Sequence, residues 1–117
     1  MLVDDDAFLR DMYATKFIEC GHEVETASNG TESLSKLKEK EYDVVMLDMI
    51  MPGLSGVDVL AEVKKQKLAE KTKFVVLSNQ SESTDQTAAK DAGAIGYIVK
   101  AESVPSEVVK QVEAMCK

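Results

Sequence analysis

The chain has 117 residues, of which 30% are charged and 44% hydrophobic, and its net charge is −7. That is enough chain for one globular domain with one core and too little for two, so residues 1–117 are expected to form a single domain. The acidic balance argues against direct contact with nucleic acid or an anionic membrane. The longest apolar stretch is broken by Asp48 and Pro52, and no signal-peptide pattern opens the chain, so no membrane span is expected.

Met1, Leu2 and Val3 form a very short strand that runs into Asp4, Asp5 and Asp6. A central strand usually has five or six residues, so further residues before Met1 are expected. Leu9, Met12, Tyr13, Phe17 and Cys20 share one helix face, with Asp6 or a neighbour as the cap and Gly21 as the stop. Residues 22–27 read as a β segment, and His22, the only histidine, as plain surface. After a turn at Asn29 and Gly30, residues 31–39 read as a helix with Leu34 and Leu37 inward.

Val44 to Leu47 is an apolar run ending in Asp48; three more apolar residues come after it, and Pro52 and Gly53 stop the element. This pattern marks a strand buried on both faces of a parallel sheet. Residues 56–67 form a helix with Val57, Leu60 and Val63 or the stem of Lys64 inward. Residues 74–77 form a strand ending at Ser78 and Asn79. Residues 82–92 form a weaker helix on Ala88, Ala89 and Ala92, stopped by Gly93. Residues 96–99 form a strand ending at Lys100. Pro105 or Ser106 starts a last helix with Val108, Val109, Val112 and Met115 inward.

Five alternations of strand and helix give right-handed βαβ units, hence an α/β, doubly wound parallel sheet. Cys20 and Cys116 have no metal-ligand spacing and read as reduced core thiols of a cytosolic protein. The six methionines are mostly core filler, with Met49 and Met51 packing under the strand-end loop.

In a parallel sheet every C-terminal strand end lies on one edge. Asp4 and Asp5, Asp48, Ser78 and Lys100 would therefore meet there. Clustered carboxylates repel, and the strain is relieved either by protonation or by a hard divalent cation. Magnesium suits a few carboxylates plus water and phosphate oxygens, and an aspartate is a workable nucleophile toward a phosphoryl donor. Ser78 and Lys100 could hold the remaining phosphoryl oxygens.

Val3-Asp4-Asp5, the segment LDMIMPGLSG, VVLSN at 75–79 and GYIVK at 96–100 together resemble the receiver domains of two-component response regulators, over essentially the whole chain. The resemblance implies a flavodoxin-like (βα)5 sheet of order 2-1-3-4-5. It implies that Asp48 accepts a phosphoryl group from the phosphohistidine of a sensor histidine kinase or a histidine phosphotransfer protein. It implies a magnesium cofactor, with manganese as a substitute, held by Asp5, Asp48 and the backbone carbonyl of Ile50, and by Asp4 through water. Ser78, Lys100 and the backbone amides of Met49 and Asn79 would bind the phosphoryl oxygens. Ser78 and Tyr97 would act as the switch that remodels the face of helix 4, strand 5 and helix 5 for an output domain or protein. Ile50 and Gln80 would control water access, apolar Ile50 slowing self-dephosphorylation.

On this reading the protein catalyses its own phosphorylation and slow dephosphorylation and is no turnover enzyme. Homodimerisation on phosphorylation stays open, as does the choice between a free-standing receiver and a fragment of a larger regulator. Two departures stand out. Ala101 follows Lys100 where the family usually has proline, and a cis bond to alanine costs about 3 kcal/mol. Ser55 replaces a common aspartate. The alternatives are a phosphorylation-independent adaptor of the same fold and an aspartyl-nucleophile hydrolase. The hydrolase needs a second acid where this chain has Ile50.

Overall fold

A computed structural model describes residues 1–78, 83–100 and 104–115. Its elements, in order, are β1 (Leu2–Val3), α1 (Ala7–Glu19), β2 (Thr26–Ala27), α2 (Gly30–Glu39), β3 (Val44–Leu47), α3 (Gly56–Lys65), β4 (Lys73–Ser78), α4 (Ser83–Asp91), β5 (Gly96–Val99) and α5 (Pro105–Met115). All strand pairings are parallel and the order is β2-β1-β3-β4-β5. This is the expected doubly wound sheet.

Strand alternation divides the core into two layers. Val3, Val45, Leu47, Phe74 and Val76 pack with Leu34, Leu37, Val59, Leu60, Val63 and Ala89 from α2, α3 and α4. Leu2, Met46, Val75, Leu77 and Ile98 pack with Tyr13, Phe17, Val108, Val109 and Val112 from α1 and α5. With both faces covered, the strands read as unbroken apolar runs.

Helix ends follow local chemistry. Asp6 caps α1 by accepting from the amides of Phe8 and Leu9. Asn29 is not a turn residue but the cap of α2, and Gly30 is its first helical residue. Ser55 and Asp58 form a reciprocal capping box on α3, so the serine that departs from the family pattern starts a helix.

Three helices end in the same closure, in which two amides beyond the helix bond back to carbonyls of the last turn. In α1 the left-handed residue is Gly21, with His22 donating to Phe17; in α4 it is Gly93, with Ala94 donating to Ala89. In α3 it is Lys67, at φ 55°, with Leu68 donating to Val63. Here no glycine marks the stop, and the helix ends at Lys65 rather than at residue 67.

Other expectations need correction. β2 covers only Thr26–Ala27, because His22 is consumed in closing α1. His22 lies at the surface as expected, but it has partners there: its ring lies edge-on to Phe17, and its Nε2 pairs with Glu113 at 2.8 Å. Cys20 is exposed, since α1 has ended before it could turn inward. Val57 packs against the core as expected but is only partly buried, and the fully buried residue of the first turns of α3 is Val59; Ala88 is exposed while Ala89 is buried. Cys116 and the bond from Lys100 to Ala101 lie outside the described residues.

A lysine in the left-handed region costs about 1 kcal/mol relative to glycine. Lys67→Gly should therefore raise stability by roughly that amount, read as a higher urea midpoint with an unchanged slope. An unchanged or lower midpoint would contradict the strain.

Candidate functional site: an acidic pocket at the C-terminal edge of the sheet

The pocket follows from the same alternation. Leu2 of β1, Met46 of β3 and Ile98 of β5 all face the layer of α1 and α5. Two residues on, the period of a strand brings the next side chains to that face. Those residues are Asp4, Asp48 and Lys100. The strand ladder carries the chain to them, with Asp4 N–H donating to the carbonyl of Ala27 at 3.1 Å and Asp48 N–H to that of Val3 at 3.0 Å.

The Lys100 ammonium joins the two carboxylates, donating to Asp4 Oδ2 at 2.7 Å and to Asp48 Oδ2 at 3.2 Å. Asp4 is 1% exposed and Lys100 8%. The other Asp4 oxygen, Oδ1, accepts from Asp6 N–H at 3.0 Å. The other Asp48 oxygen has only the long approach of Ile50 N–H at 3.4 Å. Asp5 is exposed, and no hydrogen bond or ion pair occupies its carboxylate among the described residues. One carboxylate oxygen each from Asp4, Asp5 and Asp48 lies within 4.8 Å of the others.

The titration behaviour follows from this crowding. Burial pushes the Asp48 carboxyl above its usual range; Lys100 pulls it back and the charge of Asp4 pushes it up again. Burial alone would lower Lys100, but its bond to Asp4 and the charges of Asp48 and Asp4 outweigh that and hold it above its usual value. The two directions agree physically, because one cation serves two carboxylates and Asp4 takes the shorter contact. Lys100 thus contributes stability below its unfolded pKa, lost as pH rises through the folded one. Ionised Asp48 costs stability above its unfolded pKa, and acid relieves that cost.

Three oxygen donors at this spacing, with one carboxylate unengaged, suit a hard cation such as magnesium, which needs few protein ligands. The loop carrying these groups is tightly supported. A Cβ on Gly56 would lie 2.6 Å from the carbonyl oxygen of Asp48, so only glycine lets α3 start this close. Met49 and Met51 are buried beneath the loop, as expected, while Ile50 is 60% exposed at the rim. Phe8, 75% exposed in the first turn of α1, follows the acidic run, and no sequence pattern singles it out.

The remaining candidates lie farther along the sheet edge. Ser78 is buried at the end of β4, in register with Val99, and alternation puts it on the face of Val76 and Tyr97 rather than that of Lys100. Tyr97 is half-buried against the layer of α2, α3 and α4. Asn79 and Gln80 lie outside the described residues. A concavity of about 510 Å³ lies at the opposite edge, lined by Met1, His22, Tyr42 and Val112 among others, away from every one of these groups.

The chain is similar to known proteins. The family model described as the response regulator receiver domain matches residues 1–113. The chain is 35% identical over 118 residues to the chemotaxis protein CheY of Thermotoga maritima, covering 100% of this chain and 96% of that one. It is 32% identical over 117 residues to the transcriptional regulatory protein ResD of Bacillus subtilis, of which it spans only 47%. Among solved structures, the chemotaxis protein CheY4 of Vibrio cholerae superposes with a TM-score of 0.89 at 29% identity, covering 97% of this chain and 94% of that one. With five parallel strands in the same order and a family match from Met1 nearly to the end, the chain belongs to the response regulator receiver domains of two-component systems.

Proposed function

We propose that the protein is a phosphoacceptor switch, taking a phosphoryl group from the phosphohistidine of a sensor kinase or phosphotransfer protein onto Asp48. The observation that carries this reading is the gathering of one carboxylate oxygen each from Asp4, Asp5 and Asp48 within 4.8 Å of one another, with the Lys100 ammonium bonded to Asp4 and Asp48. An Asp48 oxygen attacks phosphorus, and the bond from phosphorus to the donor imidazole breaks with its electron pair left on nitrogen.

Asp5, Asp48 and the backbone carbonyl of Ile50 would hold magnesium, or manganese in its place, with Asp4 assisting through water. The ion would supply charge neutralisation for the phosphoryl oxygens. Lys100, already bound to Asp48, would follow the negative charge onto the phosphoryl group, with Ser78 and the amides of Met49 and Asn79 completing the cradle.

Ser78 and Tyr97 lie on one face of neighbouring strands, with Val76 beside Tyr97 in register. That supports a switch in which Ser78 draws toward the phosphoryl group and Tyr97 moves with it. The surface of α4, β5 and α5 would then change for an output domain, a separate partner or a second copy of the chain. No helix among the described residues is long and apolar enough to cross a membrane, and cytoplasmic signalling fits this reading. The protein turns over no substrate; it phosphorylates and slowly dephosphorylates itself.

Incubation with a small phosphoryl donor and magnesium should add one phosphoryl group per chain by intact mass, lost in Asp48→Asn and on chelation. Sustained donor hydrolysis would instead make it a hydrolase, and no labelling would make it an adaptor. Ile50→Asn should accelerate loss of the phosphoryl group several-fold by admitting water; an unchanged or slower decay would discard shielding by Ile50.

Lys100→Met leaves a buried carboxylate without its cation. It should lower metal-free stability by about 3 kcal/mol near neutral pH. The deficit should shrink in acid, because the Asp48 carboxyl, held above its usual range by burial, is relieved of its charge as pH falls. Urea melts at neutral and at acid pH check this, and an equal loss at both would refute the charge argument.

A further inference from the structure

Asp4 and Asp5 are adjacent, yet their surroundings differ completely. Asp4 has every polar atom engaged: its amide on Ala27, Oδ1 on the Asp6 amide, Oδ2 on Lys100, and its carbonyl on Arg10 Nη1 at 2.9 Å. The Asp5 side chain has no such partner among the described residues. Its position is set by the peptide links on either side. The link to Asp6 is held because Asp6 caps α1. The link to Asp4 is a rigid plane whose carbonyl end is held by Arg10.

Arg10 is itself well placed to do this. It is half-buried in the second turn of α1, and its amide donates to the carbonyl of Asp6 at 2.9 Å. The helix that Asp6 starts thus returns a guanidinium to the residue two before it. β1 has ended at Val3, so no strand pairing holds the carbonyl of Asp4 in its place.

We infer that Arg10 is a positioning residue for the acidic pair, locking the Asp4–Asp5 peptide so that the unengaged Asp5 carboxylate stands ready for a divalent cation. This rests on the magnesium reading of the pocket. It also opposes simple electrostatics. A guanidinium beside the pocket repels a metal ion, so charge alone says that removing Arg10 tightens metal binding. Positioning says that removal weakens it, because the metal must then order a loosened peptide.

The test is calorimetric titration of the whole chain with magnesium chloride alone. Arg10→Met should bind magnesium about tenfold more weakly than the unsubstituted protein, in the range of lost outer-shell support. Arg10→Lys keeps the charge on a shorter stem that reaches the carbonyl poorly, and should lose about threefold. Arg10→Met binding as tightly as the unsubstituted protein, or more tightly, overturns the inference. So does a lower melting temperature of the metal-free variant with an unchanged Kd, the mark of a merely structural arginine. If Arg10→Met fails to fold, Arg10→Lys decides: weaker binding upholds the inference and equal binding ends it. Absence of magnesium binding in the unsubstituted protein would bring down the metal reading and this inference together.

Discussion

The constraint on which the site depends is one ammonium shared between two buried or half-buried carboxylates. Two negative charges about 5 Å apart repel by about 3 kcal/mol at the effective dielectric of a protein edge. Nothing apolar could relieve that, and solvent reaches Asp4 hardly at all. Lys100 relieves it by standing between them, and the arrangement requires β1, β3 and β5 to deliver their ends to one place. The strand order makes this possible, because β3 separates β1 from β4 and the Lys100 stem spans from β5 back over the edge. The fold is thus the means by which residues 4, 48 and 100 become neighbours.

Much of this is legible in the residues alone. Unbroken apolar runs ending in Asp48 and Lys100 imply parallel strands, and the shared edge of a parallel sheet implies convergence. Parity carries still more: Asp4, Asp48 and Lys100 each stand two residues beyond a residue of the α1–α5 layer, whereas Ser78 stands two beyond Val76 of the opposite layer. Counting in twos from the core gives Ser78 the parity of the opposite layer, a distinction that strand ends alone do not make.

What was not legible has physical reasons. Cys20 continues the apolar spacing of Phe17, but a helix stripe buries a residue only while the helix lasts, and α1 ends at Glu19. The alternating residues 22–25 look like a strand, yet His22 is used in closing α1 and only Thr26–Ala27 pair. The end of α3 is unmarked because Lys67 takes the conformation that glycine usually signals. Arg10 gave no sign because its role is a side-chain bond to a backbone carbonyl, and such bonds have no residue type at the accepting end to read.

The four charged side chains also divide the work in a way that residue type alone does not reveal. Asp4 spends both oxygens inside the protein, which makes it a fixture rather than a ready ligand. Asp48 spends one oxygen on Lys100 and holds the other by a single long contact. Asp5 spends neither. An incoming cation would therefore find one carboxylate free, one half free and one occupied, and the gradient runs from the exposed rim inward. Were all three carboxylates free, repulsion would leave the apo site without a defined shape; were all three engaged, a metal would have to break several buried bonds to enter. Lys100 keeps the inner pair quiet, and if Asp48 takes up a phosphoryl group as proposed, its ammonium would have only a short distance to follow. On the proposed reading, the resting ion pair and the phosphorylated state are two uses of the same cation.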